Sequence, residues 1–526
     1  MQTFITFIAF TAFVAGFSWY RLRKEHLGSK DGFFLGGRSL TGVVIAGSML
    51  LTNISTEHLV GMNGSSYVNG FIIIAWEVTS ALALVVAALY FAPRYLHMGL
   101  TTIPEYLEYR FDGLTRTLVA LFLTVSYVVT LLPIVLYTGG INLESIFGVS
   151  QLLGVTKSEG LWITVVVIGA VGSIYAIFGG LKAVAYSDML NGIGLLIGGL
   201  LIPVLALWQI GDGHIFDGLM KVYHNAPEKF NVIGGPDSVL PFEALFTGLV
   251  INQVYFWCMN QMIVQRALGA KNLVEAQKGL LYTGVLKILV PIIIVLPGVI
   301  GFYYFGDNLY SAQDSVYPEL VKRVLPLSLT GFFAAVVMGA VLSTFNSALN
   351  SAATIFSTDV YKRHLKKSAS EKELVWIGKI VSAILAVAAI AAAPFVADAP
   401  DGLYQLLQQL NGIFFIPIAS IMIAGFFLPR ISALAARTSL FVGLAFYITM
   451  TFILKVNLHF VHVWGIEFLL NMVTMYVITN FFPRKESDHY DFKDVVSMER
   501  WKYANVLGTI LVLITVGIYF WLGHFS

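Results

Sequence analysis

The stretch that decides the fold is LLTNISTEHLVGMNG, residues 50–64, which lies inside an apolar run. Its centre, from Thr52 to His58, is too polar for a simple membrane-spanning helix, because such side chains compete with backbone hydrogen bonds and ionisable groups are costly in a bilayer. Gly61 weakens the helix further. Unpaired backbone at membrane depth is tolerated only where it lines a cavity or binds an ion. The pattern therefore predicts a helix broken in its middle; a polar face packed between intact helices is the alternative.

The composition identifies the class of protein. Of the 526 residues, 57% are hydrophobic and 12% are charged, and the mean hydropathy is +0.79. A soluble domain carries about 25% charged residues, so a soluble enzyme, a nucleic-acid-binding protein and a disordered chain are excluded. A membrane β-barrel is excluded because its strands would alternate polar and apolar residues. The single cysteine, Cys258, excludes an intrachain disulfide.

Apolar runs along the chain predict an all-α integral membrane protein with about fourteen transmembrane helices. The runs lie near residues 2–20, 39–62, 70–91, 115–138, 160–178, 188–209, 239–262, 279–305, 327–356, 374–396, 403–428, 436–455, 464–482 and 503–524. The first run is followed by RLRKEH without a cleavage site, so it is predicted to be a retained span. Most of the 32 Lys and Arg residues fall in the loops of one side, which the positive-inside rule makes cytoplasmic. Both termini are therefore predicted to lie outside the cell (inner) membrane.

The seventh span repeats the interruption seen in the second. Its sequence, INQVYFWCMNQMIVQR at 251–266, places Asn252, Gln253, Asn260 and Gln261 around an aromatic cluster. Two interrupted spans that lie five apart are typical of a transporter built from two inverted halves, each of which begins with a broken helix.

Ionisable and amide side chains within the other spans indicate a binding site. Glu77 lies in the third span with Ser80 on the same helix face, and Lys287 lies well inside the eighth. Three glutamines begin the eleventh span: Gln405, Gln408 and Gln409. A carboxylate accepts hydroxyl protons, whereas an ammonium and amides donate to hydroxyl oxygens, so the set predicts a polyhydroxylated ligand. The alternative is that Glu77 and Lys287 simply pair with each other.

The ninth span contains GAVLSTFNSALNS, residues 339–351. Ser343 and Thr344 supply adjacent hydroxyls, and Asn346 and Ser347 follow on the same face as Ser343. Sodium is a hard cation that prefers oxygen ligands, and a cage without charged ligands suits weak, reversible binding. The segment predicts a sodium site, with close packing of small polar residues between helices as the alternative.

Several segments, in the right order, resemble the sodium/solute symporter family. The resemblance is strongest to its sugar branch, which includes the bacterial sodium/galactose symporter and the animal sodium/glucose cotransporters. It runs from FFLGGRSL at 33–40 to STDVYKR at 357–363, with a weaker match through the eleventh span. The most specific segments are TNISTEHLVGMNGSSY (52–67), TTIPEYLEYRF (101–111), YAIFGGLKAVAYSD (175–188), NQMIVQRALGAKNLVEAQKG (260–279) and NSALNSAATIFSTDVYKR (346–363).

The resemblance implies a leucine-transporter-type fold, a five-plus-five inverted repeat formed by spans two to eleven, with two broken helices. It divides a single transporter domain, 1–526, into an extra helix and loop at 1–38, a ten-helix core at 39–428 and three extra helices at 429–526. It also implies a symporter rather than an enzyme, in which sodium drives a neutral monosaccharide inward by alternating access. The implied partners are the sugar, Na⁺ and the lipid bilayer, with no nucleic acid and a functional monomer.

The binding residues of the family carry over to this sequence by position. The implied sugar ligands are His58, Glu77, Ser80, Gln253, Lys287 and Gln408. The implied gates are Met62, Trp76 and Tyr404 on the outside and Phe256 on the inside. The implied sodium ligands are the carbonyls of Leu51, Ile54 and Ala340 and the hydroxyls of Ser343 and Thr344. Some relatives bind a second sodium, whose ligands would here be Asp188, Ser343, Asn346 and Ser347.

Three positions depart from the bacterial galactose pattern and bear on which solute is carried. His58 replaces a Gln, as in the animal glucose cotransporters, Gln253 replaces an Asn, and Phe256 replaces a gate Tyr. The rival solutes are myo-inositol, proline and sialic acid. A carboxylate solute such as sialic acid would normally need an arginine clamp, and every arginine is predicted to lie in a loop or at a span end. Proline would leave Glu77 and Lys287 with little to bind.

A channel or a membrane sensor is the alternative of another class. A channel would be expected to show rings of charge along a pore, and a sensor would be expected to carry a soluble output domain. Neither pattern is present in the sequence, so a secondary transporter remains the leading hypothesis.

Overall fold

The computed structural model describes residues 2–22, 28–396, 402–484 and 494–523. These residues are almost entirely helical and contain no β-strand; their extended pairing is limited to an isolated bridge between Leu40 and Ala270. The all-α membrane fold predicted from the sequence is therefore confirmed.

The helices follow one another closely along the chain. The first part contains α1 (Gln2–Leu22), α2 (Lys30–Phe34), α3 (Gly42–Asn53), α4 (Asn63–Asn69), α5 (Ala75–Val78), α6 (Ser80–Val86), α7 (Ala92–His97), α8 (Ile103–Arg110), α9 (Gly113–Ser126), α10 (Leu132–Phe147), α11 (Val149–Leu153) and α12 (Lys157–Ile210). The second part contains α13 (Ile215–Asn225), α14 (Gly248–Cys258), α15 (Gln261–Leu268), α16 (Leu273–Phe305), α17 (Val316–Val324), α18 (Leu327–Ile355), α19 (Glu371–Ala392), α20 (Leu403–Phe427), α21 (Ala433–Ile448), α22 (Phe460–Phe481) and α23 (Ala504–Leu522).

Shorter turns connect many of these helices. Wide, π-helical turns cover Glu57–Met62, Ala87–Phe91, Tyr127–Leu131, Phe356–Leu365 and Thr449–Ile453. Tighter 3₁₀ turns cover Gly36–Arg38, Gly70–Ile74, Pro227–Phe230, Phe242–Phe246, Tyr310–Ser315 and Ala393–Val396.

Twelve helical stretches in the described part of the chain are long and apolar enough to cross a membrane. The sequence predicts about fourteen, and the difference lies at the second and seventh spans, the two that are predicted to be broken. The first half of the second span, α3, has only 12 residues, and the seventh is divided into α14 with 11 and α15 with 8. Each half is shorter than the roughly 20 residues that a bilayer requires.

The predicted fifth and sixth spans follow each other directly in α12, which consists of two helices joined at a kink at Gly180. The backbone of Gly180 has φ 62° and ψ −179°, a conformation that only glycine adopts readily. A Cβ at this position would lie 2.9 Å from the carbonyl oxygen of Phe33, so the bend also allows the N-terminal loop to approach α12 closely.

The broken span lies at the centre of the helical bundle. Helix α3 packs against α12, α16 and α18, and α18 packs along α12. Small residues in α18, among them Ala340, Ser343 and Ser347, are fully buried and permit the close helix approach that is typical of membrane proteins. Helix α20 lies between this centre and the outer pair α21 and α22. The packing therefore surrounds the end of α3 with protein rather than lipid.

Candidate functional site

The first break in the bundle is at the end of α3. The backbone ladder of this helix ends with the bond from Ile54 N to Leu50 O, at 2.7 Å, and a new turn begins with the bond from His58 N to Ser55 O, at 3.1 Å. Ile54 itself is extended, with φ −88° and ψ 97°. The break falls within the polar segment that predicted it, and the prediction of an interrupted second span is confirmed.

The second break separates α14 from α15 at Met259 and Asn260. Asn260 is extended, and its side-chain Oδ1 accepts a hydrogen bond from Met262 N at 3.0 Å, which caps the N-terminus of α15. The hydroxyl of Tyr127 donates to the same oxygen at 2.9 Å. Asn260 is one of the amides that predicted the break, whereas its bond to Tyr127 joins distant parts of the chain and was not predicted.

A cavity with a largely polar lining lies between the two breaks. It is lined by all six predicted sugar ligands, namely His58, Glu77, Ser80, Gln253, Lys287 and Gln408, and by the predicted gate residues Trp76, Phe256 and Tyr404. Met62, the fourth predicted gate, is fully buried and does not line the cavity. The fold therefore brings residues from five separate spans to one site.

The intramembrane charges of Glu77 and Lys287 are paired. Lys287 Nζ contacts Glu77 Oε2 and also donates to Asn53 Oδ1 at 2.6 Å. The side chains of Glu77 and Lys287 are each 1% exposed, yet both border the cavity. The pairing that the sequence left open as an alternative is present, and it places a carboxylate and an ammonium together at the wall of the cavity.

Glu57 adds a second carboxylate, for which no role was predicted from the sequence. The imidazole of His58 lies between the two acids, with Nδ1 3.4 Å from Glu57 Oε1 and Nε2 3.6 Å from Glu77 Oε1. Glu57 lines the cavity, and its Oε2 has no hydrogen-bond partner among the described residues. Its place inside the polar centre of the second span was the signal that could have identified it.

A hydrogen-bonded group on the opposite wall fixes Gln253. Its Nε2 donates to the carbonyl of Trp76 at 2.8 Å, and its Oε1 accepts from Ser80 Oγ at 3.0 Å and from Trp257 Nε1 at 3.2 Å. These bonds join α14 to the third span. Two predicted ligands, Ser80 and Gln253, are thus held in one orientation by partners on both helices.

Aromatic rings close one side of the cavity. The ring of Tyr404 lies 5.5 Å from that of His58 and 5.8 Å from that of Trp76, both edge-on. Trp76 and Tyr404 are 3% and 2% exposed, whereas Phe256 is only half-buried and packs on Trp257 at 5.2 Å. The side with Trp76 and Tyr404 is therefore the more tightly packed one.

The residues predicted to bind sodium meet at the first break. Leu51, Ile54, Ala340, Ser343 and Thr344 are all buried. Thr344 donates its hydroxyl to the carbonyl of Thr52 at 2.9 Å, and Ser343 Oγ lies 3.4 Å from Thr52 Oγ1. The hydroxyl of Thr344 thus contacts the interrupted backbone of α3, where helical carbonyls lose their usual partners.

Two of the residues predicted for a second sodium, Asp188 and Ser347, are bonded to a buried arginine. Asp188 Oδ2 pairs with Arg266 at 3.2 Å and accepts from Ser48 Oγ at 2.7 Å. The same guanidinium contacts the hydroxyls of Thr52 and Ser347.

Arg266 is only 1% exposed, which its predicted position at a span end did not indicate. Arg266 does end the seventh apolar run, but α15 turns it into the bundle. Neither amide atom of Asn346, the third residue of the predicted set, has a partner among the described residues.

Comparison with known proteins identifies the family. The model of the Sodium:solute symporter family matches residues 33–443. The chain belongs to the sodium:solute symporter family. It is 43% identical over 524 residues to the uncharacterized symporter YidK of Escherichia coli (strain K12), covering 99% of this chain and 91% of that protein. It is 31% identical over 477 residues to the sodium/glucose cotransporter of Vibrio parahaemolyticus, covering 86% of each.

The fold of a solved structure agrees with this assignment. A Na⁺-coupled sialic acid symporter in a substrate-bound, outward-open state superimposes with a TM-score of 0.76 at 19% identity, covering 94% of this chain and 99% of the other. The leucine-transporter-type fold is confirmed. The protein is thus a multi-pass, sodium-coupled solute symporter of a sugar-related branch and not an enzyme.

The buried ion pair on α15 yields a stability prediction. Arg266→Ala leaves the carboxylate of Asp188 buried without its cation, which we expect to cost about 3–5 kcal/mol of unfolding free energy. Adding Asp188→Asn removes the unpaired charge and should restore part of the melting temperature of the purified protein.

Arg437→Ala is the matched control, because Arg437 and Asp112 form a partly exposed pair, 22% and 36% exposed. Such pairs are worth only about 0.2–1 kcal/mol. Equal melting temperatures for Arg266→Ala and Arg437→Ala would contradict the structural role of Arg266.

Proposed function

We propose that this sodium-coupled symporter imports a neutral monosaccharide by alternating access. The observation that carries the proposal is the lining of the cavity, which combines carboxylates, an ammonium and carboxamides with aromatic rings. Each sugar hydroxyl both donates and accepts a hydrogen bond, so a pocket for it needs partners of both kinds.

The individual groups supply those partners. Glu57 and Glu77 accept hydroxyl protons, whereas Lys287, Gln253 and Gln408 donate to hydroxyl oxygens. The rings of Trp76 and Tyr404 offer apolar surfaces to the C–H face of a sugar ring.

The charges of the site favour a neutral solute over a carboxylate. Lys287 is already neutralised by Glu77, and Arg266 does not line the cavity and is bonded to Asp188. Among the described residues, no guanidinium lines the cavity to form a bidentate clamp with a carboxylate. The similarity to the Vibrio sodium/glucose cotransporter supports the same choice, with myo-inositol as the nearest rival because it carries hydroxyls on a ring of similar size.

For sodium, we propose one site formed by the carbonyls of Leu51, Ile54 and Ala340 with the hydroxyls of Ser343 and Thr344. These groups are buried at the first break and carry no net charge, which suits reversible binding of a hard cation. The second set has less support, because Arg266 already neutralises Asp188 and contacts the hydroxyl of Ser347.

The transport cycle follows from the two sides of the cavity. The tightly packed side with Trp76 and Tyr404 is the outer gate, and Phe256 belongs to the inner one.

Both termini face outward in the cell (inner) membrane, residues 39–428 form the moving core, and the monomer is the functional unit. Moving one sodium charge through 100 mV is worth about 2.3 kcal/mol, which drives accumulation of the solute.

Removal of one hydroxyl tests the sodium site. Thr344→Ala deletes a cage oxygen and is expected to raise the sodium concentration for half-maximal binding about 3- to 30-fold, since such a group is worth about 0.6–2 kcal/mol. Binding of radioactive sodium to the purified protein measures this without any solute. Thr330→Ala, a buried hydroxyl near the start of the same helix, is the control; equal sodium affinity in both variants would place the ion elsewhere.

A double-mutant cycle on Glu77 and Lys287 separates solute binding from mere charge pairing. Charge-assisted hydrogen bonds are worth about 1.5–3 kcal/mol, so Glu77→Gln and Lys287→Met should each lower monosaccharide affinity by about one to two decades. Each single variant also strands a charge and should melt at a lower temperature. The double variant should recover the melting temperature but not the affinity.

The readouts are melting temperature and sugar affinity, measured separately for the four proteins. Lys322→Met, which breaks an exposed pair with Glu319, serves as the control for loss of a lysine. Recovery of sugar affinity in the double variant would show that the pair only neutralises itself.

A further inference from the structure

A buried carboxylate lies outside the solute cavity, where α20, α21 and α22 meet. Glu467, on α22, is fully buried, and neither of its oxygens has a hydrogen-bond or ion-pair partner within the described ranges. An isolated carboxylate in such a place is costly, because burial removes its hydration and nothing replaces it. The group therefore needs a ligand that neutralises it.

The side-chain oxygen of Asn471, one turn further along the same face of α22, is a hydrogen-bond acceptor without a donor among the described residues. Asn471 is fully buried; its Nδ2 donates to Ser420 Oγ at 3.2 Å, and its Oδ1 has no partner among the described residues. Ser420 already donates its own proton to the carbonyl of Ile416 at 2.8 Å, so its oxygen can only accept. Asn471 therefore keeps an unpartnered Oδ1, and it follows Glu467 on the same helix face in the i,i+4 relation.

The surroundings offer no cation to the carboxylate. The titratable and charged groups on Glu467's own helix and on the helices packed against it are Tyr255 and Cys258 on α14, Tyr404 on α20, Arg437 and Tyr447 on α21, and His462 and Tyr476 on α22. Arg437 pairs with Asp112, and His462 bonds to Thr247. Tyr447 donates its hydroxyl proton to the carbonyl of Gln409 at 2.9 Å.

We propose that Glu467 is a proton-binding site, separate from the solute cavity and from the predicted sodium site. A hydrated proton forms an O–H bond with one carboxylate oxygen, and nothing is oxidised or reduced. The neutral carboxyl then has one donor, and Asn471 Oδ1 is the acceptor placed to receive it. With the proton bound, the charge is removed and the chain from Glu467 through Asn471 and Ser420 to Ile416 is continuous.

The proton site lies against the back of the helix that carries the outer gate. Tyr447 holds the carbonyl of Gln409, the neighbour of a cavity residue, and both Tyr447 and Trp464 pack on Gly412 of α20. The ring of Trp464 lies 6.2 Å from that of Trp76. The proposed function requires α20 to move when the gate opens, and this movement would let water reach Glu467. Proton binding to Glu467 and closure of the gate would then favour each other reciprocally.

The proton site is tested on the purified full-length protein, in sodium-free buffer, by melting temperature from about pH 5 to about pH 8. The folded protein holds a proton that the unfolded chain releases above about pH 4, so stability falls as the pH rises. Glu467→Gln keeps the shape of the neutral carboxyl and removes this component. Glu243→Gln, an exposed position in the turn Phe242–Phe246, is the matched control.

We expect the wild type and Glu243→Gln to lose melting temperature with rising pH more steeply than Glu467→Gln. Parallel slopes in all three proteins would overturn the proposal. A stabilisation by sodium at constant pH that is lost in Glu467→Gln, without a difference in pH slope, would also overturn it, since the site would then bind an alkali cation.

Infrared spectroscopy gives a readout that does not depend on melting. A neutral carboxylic acid has a C=O stretch that shifts in D₂O, and the wild type near neutral pH should show such a band that is missing from Glu467→Gln. Absence of the difference would mean that Glu467 carries no proton in the folded protein, which contradicts the proposal.

Discussion

Every polar backbone group within a bilayer needs a hydrogen-bond partner from the protein. The helix is interrupted after Asn53, so the backbone groups at this point lose their helical partners and need others. The broken segment is enclosed by α12, α16 and α18, which keep lipid away from it. Side chains of these helices contact the end of α3. Thr344 donates to the backbone carbonyl of Thr52, and Lys287 donates to the side chain of Asn53. In an unbroken helix the carbonyl of Thr52 would be bonded within the helix and would not need the hydroxyl of Thr344.

The same break joins the two binding functions of the protein. The carbonyls of Leu51 and Ile54 come before and within the interruption, and His58, at the wall of the solute cavity, follows it by one turn. An ion bound at these carbonyls would fix the geometry of the segment that presents His58 to the solute. Coupling between sodium and solute would then need no long path, because one short stretch of backbone contributes to both of the proposed sites.

Much of the site could be predicted because polar residues are costly inside a membrane and are rarely there by chance. Glu77, Lys287 and Gln253 stood out for this reason, and all of them line the cavity. The helical breaks were readable for the same reason. The wall of the cavity that comes from Tyr127 and Asn411 was not readable, since nothing in the local sequence shows which spans will face each other.

Other features depended on tertiary packing. Arg266 is at the end of an apolar run, where hydropathy alone assigns it to the surface, yet the break before α15 turns it inward to Asp188. Met62 follows the break in the same turn as His58 but is buried without lining the cavity. Glu467 was visible as a lone acid in an apolar span, but its lack of a partner emerges only when α20 and α21 are placed around it.

We propose above all that sodium bound at the broken helix prepares a pocket for a neutral sugar. The most direct measurement is the melting temperature of the purified protein with a panel of monosaccharides, myo-inositol and sialic acid, each with sodium and with sodium replaced by choline. Binding to the folded state raises the melting temperature. The account predicts that a neutral monosaccharide stabilises the protein and does so only in sodium. Stabilisation by sialic acid alone, or by a monosaccharide equally in choline, would contradict it.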